Sequence, residues 1–145
     1  MTRVVLVVCI GNICRSPMAM GLLNQSLPDL TVRSAGLHAM PGAPAHPLAI
    51  AVCADAGIDL GVHRAQRLTG RDVARSDLVL TMSDAQKHWI QLRYPQCSGR
   101  VHRLGERTGC NIPDPHGRQH EAFVQAFSRI RDGVHDWVPL IRALD

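Results

Sequence analysis

Residues 4–8 form an unbroken run of Val and Leu. That is the pattern of a strand buried on both faces of a parallel sheet. After a short loop, Ser16 is placed to cap a helix and Pro17 suits its first turn, where a missing N–H does no harm. The helix is expected to reach about Leu27 and to end at Pro28. Residues 31–34 read as a second strand stopped by Ala35-Gly36, and 37–46, with Pro41, Gly42 and Pro44, as a loop. Residues 47–56 read as a helix with Gly57 as its stop. Thr69 with Asp72, and Ser83 with Gln86, have capping-box spacing, the second opening a helix to about Arg93. Strands are expected at 78–80 and 100–102. From Gly117 onward, Phe123, Phe127, Ile130, Val134, Trp137 and Ile141 recur at steps of three and four, one face of a helix that Pro139 should end or kink. Strands alternating with helices imply an α/β architecture on a mostly parallel sheet. Ligands of such sheets bind beyond the carboxyl ends of the strands, and the first strand delivers Cys9 to that edge.

Composition narrows the class. At 145 residues the chain is expected to be one domain, 1–145, large enough for an ordinary core. It is 46% hydrophobic and 19% charged, which excludes a disordered chain. Aromatics make up only 3%, so Val, Leu, Ile, Ala and Met must build the core. Five cysteines cannot all pair within the chain, so reduced thiols and a cytoplasmic setting are expected. The run at 4–10 is too short for a membrane span and leads into Gly11-Asn12 rather than a cleavage site. Neither membrane insertion nor a targeting segment is expected. The net charge of +4 invites a nucleic-acid reading. Arg64, Arg67, Arg71 and Arg75 are, however, interspersed with Asp72 and Asp77 and lack an aromatic platform, which favours a solvated face and no nucleic-acid partner.

The candidate chemistry sits in Cys9-Ile10-Gly11-Asn12-Ile13-Cys14-Arg15-Ser16-Pro17. A thiol is nucleophilic as its thiolate. Arg15, converging loop N–H groups and the following helix N-terminus all favour an anion there. The same groups fit a phosphoryl group, Arg15 as a planar fork for two oxygens. Gly11 allows close backbone approach or positive φ, and Asn12 tolerates the left-handed conformation. Ser16 is placed to give its hydroxyl to the departing thiolate. The spacing alone is weak, and the competing reading is a buried cysteine beside a surface arginine. The preceding strand and the Ser-Pro after it decide for chemistry. Asp114, held between Pro113 and Pro115, suits a presented carboxyl; on residue types alone an Asx turn fits it better. His116 and His120, with Glu121, have a spacing that can bind metal on a helix, but His116 is expected before the helix and no ligand beyond these is evident nearby, so exposed histidines and no metal are expected. Cys53 reads as core.

This nine-residue motif resembles the signature of the low-molecular-weight protein tyrosine phosphatases. So do Ser34-Ala35-Gly36, His63-Arg64-Ala65, residues 77–82 and Asp114-Pro115, across nearly the whole chain. The resemblance implies a three-layer α/β sandwich with a four-stranded parallel sheet and no cofactor. Cys9 is then the nucleophile, Arg15 the phosphate clamp and Asp114 the acid and later the base. Ile10, Gly11, Asn12, Ile13, Cys14 and Ser16 form the phosphate loop, with Asn12, Ser34 and His63 in a supporting hydrogen-bond network. It also supports a reversible Cys9–Cys14 disulfide, against the plainer reading of Cys14 as a packed thiol. His116-Gly117 departs from the aromatic that commonly follows Asp-Pro. Leu37 resembles the bacterial branch linked to exopolysaccharide export, which acts on an autophosphorylated tyrosine kinase. Leu37, His38 and His116 are the expected substrate wall. Two rivals remain: a thiol-dependent arsenate reductase, for which Cys97 and Cys110 are poorly spaced, and a phosphopeptide-binding module without catalysis.

Overall fold

The computed structural model describes residues 3–143; the outermost two positions at each end of the expected 1–145 domain lie outside them. Four strands, β1 (Val4–Cys9), β2 (Thr31–Gly36), β3 (Leu78–Thr81) and β4 (Val101–Arg103), form one parallel sheet in the order β2-β1-β3-β4. Five α-helices connect and cover them: α1 (Arg15–Ser26), α2 (Pro47–Asp55), α3 (Gly70–Ala74), α4 (Asp84–Arg93) and α5 (His120–Ala143).

The unbroken apolar run of β1 is explained by two cores, one on each face. Val5, Val7 and Cys9 face a core shared with Met18, Leu23, Phe123 and Ile130, from α1 and α5. Leu6 and Val8 face a smaller core with Val73, Ile90 and Val101. Alternate residues of one strand therefore serve opposite layers. Each fully buried Leu or Phe contributes about 1.5–3 kcal/mol. The chain leaves β1 for β2 on one side and returns to β3 on the other. That topological switch opens a crevice at the carboxyl end of β1.

Several expected boundaries shift. β2 does not stop before Ala35-Gly36: Gly36 pairs with Cys9, and its N–H and C=O bond Gln66 O and Leu68 N, so the ladder continues. A 3₁₀ turn over Pro95–Arg100 precedes β4, which starts one residue late. α5 runs through Pro139 to Ala143. Pro139 is exposed, and its missing bond to the His135 carbonyl is outweighed by the packed face around it. Trp137 Nε1 donates to Arg103 O and Leu104 O at 3.1 and 3.0 Å, and Ile141 is fully buried. Both caps form at Thr69 and Ser83. Gln86, however, accepts from Met82 N rather than from its own cap residue.

Candidate active site

β1 ends at Cys9 and α1 begins at Arg15, so the residues between must turn within a few positions. Asn12 makes the turn by adopting φ 56°, the left-handed region in which a short polar side chain is tolerated. It is completely buried, and every polar group it carries is used. Its backbone N–H donates to Cys9 Sγ at 3.3 Å and Nδ2 donates to Ser16 Oγ at 2.8 Å. Oδ1 accepts from Gln66 N at 2.9 Å, and the carbonyl accepts from His63 Nε2 at 2.7 Å. That last bond fixes the proton of His63 on Nε2. Burial, chiefly, and then the charge of Arg64 hold the His63 pKa below its ordinary value, against the pull of the Asn12 bond.

Ser16 does not cap α1; the helix begins at Arg15 and Ser16 lies inside its first turn. Its hydroxyl, already accepting from Asn12, sits 2.9 Å from Cys9 Sγ and can donate to a thiolate. Gly11 has no positive φ, and a Cβ there would meet nothing nearer than Ile13 Cγ1 at 3.7 Å. The close approach occurs instead at Gly36, where a Cβ would lie 2.5 Å from Ile10 O and 2.9 Å from Asn12 N. Leu37 N and His38 N then donate to Cys9 O and Ile10 O. Ser34, buried opposite Val7 in β2, takes no part in the bonds that hold Asn12.

Arg15 is 5% exposed. Nη1 donates to Ile112 O at 2.9 Å, Nη2 lies 3.5 Å from Asp114 Oδ2, and Nε is buried without a partner among the described residues. A buried guanidinium N–H left unpaired marks a place for an anionic acceptor. Asp114 also accepts from His116 N at 3.0 Å, so the Asx turn and the presented carboxyl are both present. Its side chain is 48% exposed.

Cys9, Ile10, Gly11, Ile13, Cys14, Arg15, Asp114 and His116 line a cavity of about 190 Å³. His116 is thus in the wall, its ring edge-on to His46, which lies against Phe123. Leu37 is not: it continues the alternation of Ala35 into the second core. His38 sets its ring toward Trp89, outside the cavity. Ile10 and Ile13 supply apolar wall in their place; as loop residues between Cys9 and Arg15 they were visible in the motif but not as wall. Burial first, then Asp114 and Cys9, push the Cys14 thiol up to about 12, so Cys14 stays protonated beside Cys9. Cys53 and Cys97 are buried in the cores and Cys110 lies on the exposed loop before Asp114.

His116 precedes α5 and His120 opens it. Among the described residues no group of His, Cys, Asp and Glu could hold a metal ion, and no helix is long and apolar enough to cross a membrane. Arg64, Arg67, Arg71 and Arg75 are all exposed. Among the described residues, a larger groove of about 710 Å³ between α1 and α5 is lined by no cysteine and no carboxylate.

The family model for low molecular weight phosphotyrosine protein phosphatase matches residues 4–144. The chain is 55% identical, over 99% of both sequences, to the probable low molecular weight protein-tyrosine-phosphatase EpsP of Ralstonia nicotianae. It is 36% identical to the low molecular weight protein-tyrosine-phosphatase Wzb of Escherichia coli K12, covering 96% of this chain and 95% of the other. The structure of Vibrio vulnificus Wzb in complex with benzylphosphonate superposes with a TM-score of 0.93 at 33% identity, over 97% of this chain and 99% of that one.

Proposed function

The chain belongs to the low molecular weight phosphotyrosine protein phosphatase family and is a protein tyrosine phosphatase; from that premise we propose that Cys9, Arg15 and Asp114 carry its reaction. One observation bears most of the weight. The Cys9 thiol, the unpaired guanidinium edge of Arg15 and the half-exposed carboxyl of Asp114 converge on one small cavity at the carboxyl edge of the sheet.

In this reading the Cys9 thiolate attacks phosphorus in line. The S–P bond forms as the bond from phosphorus to the tyrosyl oxygen breaks. Arg15 Nε and the loop N–H groups hold the equatorial oxygens, whose charge is held in fixed geometry rather than by solvent. Asp114 gives its proton to the departing phenolate. It then takes one from the water that attacks the phospho-cysteine, and inorganic phosphate leaves. Ser16 donates to the sulfur as the thiolate re-forms. Asn12 and His63 position the loop, and Ile10, Ile13 and His116 flank the phenyl ring.

The resemblance in the motif extends the reading to the substrate, an autophosphorylated tyrosine kinase of bacterial exopolysaccharide synthesis met in the cytoplasm. Cys9→Ser is the test. It should abolish hydrolysis of p-nitrophenyl phosphate while still retaining a tyrosine-phosphorylated kinase from host extract. Undiminished turnover would overturn the nucleophile, and recovery of nothing tyrosine-phosphorylated would overturn the substrate.

A further inference from the structure

The scarcity of aromatic residues makes the placement of each one informative. Phe123, Phe127 and Trp137 are buried in the larger core, and Tyr94 packs on the smaller one. Trp89, on α4, is different. It packs against the smaller core but is only half-buried, with Arg93 lying 5.4 Å over its ring. Trp137 Nε1 has two carbonyl acceptors, whereas among the described residues Trp89 Nε1 has no hydrogen-bond partner. Exposed His38 stands edge-on to the indole, with ring centroids 6.5 Å apart at 74°.

This pair is continuous with the catalytic cavity. Ile10, a wall residue and 37% exposed, accepts a hydrogen bond through its carbonyl from His38 N at 2.9 Å. The strip therefore runs from the cavity wall through His38 to Trp89 and Arg93. We propose that it docks a second aromatic side chain of the same phosphorylated polypeptide, flanking the phosphotyrosine. The proposal rests on the phosphotyrosine reading above and adds a determinant of which phosphotyrosines are chosen. An aromatic occupant fits because two rings and a cation offer edge, face and cation–π contacts, and the free indole N–H can meet a backbone carbonyl. One strand spacing of about 4.8 Å, the length of the His38 side chain and the 6.5 Å ring separation together span no more than roughly 15 Å, so a ring three or four extended residues from the phosphotyrosine can reach it.

Two phosphopeptide pairs test this, matched in length and charge. Within each pair one peptide carries an aromatic residue three positions from the phosphotyrosine, on the amino or the carboxyl side, and its twin carries Ala. The wild type should prefer the aromatic member of one pair by roughly two- to twelvefold in kcat/KM. The preference should lie in KM, as expected for binding that is uniform along the reaction. Trp89→Leu, which keeps an apolar group against the core, should erase the preference and leave p-nitrophenyl phosphate turnover unchanged. Trp89→Phe should restore part of it. No preference in the wild type, or a preference that survives Trp89→Leu, overturns the proposal. So does concentration-dependent dimerisation that Trp89→Leu abolishes without any peptide preference, since a second copy would then own the face. Failure of the wild type to turn over p-nitrophenyl phosphate would instead overturn the catalytic reading itself.

Discussion

Residues 9–16 and residues 105–119 meet at the same cavity but are held in different ways. In the first segment Cys9, Asn12, Cys14, Arg15 and Ser16 are all buried. Asn12 alone ties together the sulfur, the Ser16 hydroxyl, Gln66 and His63. In the second, almost everything from Arg107 to Gln119 is exposed except Ile112 and Pro115. Its buried anchor is Ile112, which donates to Met82 O at 2.8 Å and accepts from Arg15, while on the exposed side Asn111 Oδ1 accepts from Asp84 N at 2.9 Å and from Arg103 Nη1 at 3.1 Å. The difference follows from the work assigned to each. A nucleophile and its anion cradle must be in place before substrate arrives, because reorganising them at the moment of reaction would cost rate. In the proposed reaction Asp114 serves two different oxygens in turn, a phenol and then a water, and must stay open to both. Damage to the first segment should therefore appear in stability as well as rate, and damage to the second in rate alone.

The largest expected effect tests the exposed segment. Asp114→Asn keeps an oxygen for the turn to His116 N but removes the proton donor, so kcat should fall by about 10²–10⁴-fold. The loss should be greater for phenols of higher pKa, which need the proton more. Unfolding stability should move by less than about 1 kcal/mol, because the pair with Arg15 is long and half-exposed. Turnover across a series of aryl phosphates, beside urea unfolding of the same variant, measures both. A matching loss of stability would break the contrast.

Asn12→Ala tests the buried segment. It forces alanine into the left-handed region, leaves Gln66 N–H without its acceptor and takes the Asn12 donor from Ser16 Oγ. Together these should cost about 2–4 kcal/mol in unfolding free energy. The rate should drop too, since the bond that orients Ser16 toward Cys9 Sγ goes with it. Urea unfolding with near-native stability would show that the loop is held by its neighbours rather than by Asn12.

What the sequence made legible divides along similar lines. β1, the Cys9-to-Arg15 spacing and the αL-tolerant Asn12 were all readable, because each depends on local pattern: apolar continuity, a fixed loop length, one residue's φ preference. The amphipathic stripe of α5 was readable for the same reason. Pro139 does not end α5 because its cost, about 3 kcal/mol, is local, whereas the face that holds α5 together is packed against distant elements. Ser16 misled because its two readings, helix cap and sulfur partner, use the same hydroxyl, and only the loop's course selects one. The substrate wall was least legible. Leu37 turned into the second core, His38 turned toward a tryptophan 51 positions away, and only His116 lines the cavity. Side-chain direction after a strand depends on what the sheet packs against, and no local motif records it.

Gly36 shows the same limit and gives the finest test of the contrast. The glycine in the motif looks like the one that sterics demand, yet in this structure a Cβ at Gly11 meets only ordinary van der Waals contact. The backbone of the cradle rests on Gly36 of the neighbouring strand, and a methyl group there would have to displace Ile10 O and Asn12 N rather than a flexible side chain. Gly36→Ala should thus destabilise by about 1–3 kcal/mol, the usual cost of overpacking a well-packed site. It should lower kcat as the Cys9 loop shifts. Gly11→Ala should leave unfolding within about 0.5 kcal/mol of the wild type. Any loss it causes should appear as weaker inhibition by inorganic phosphate, because what the site then lacks is room for the anion. If both variants unfold alike, the cradle is not seated on β2, and the rigidity assigned to it must come from Asn12 and α1 alone.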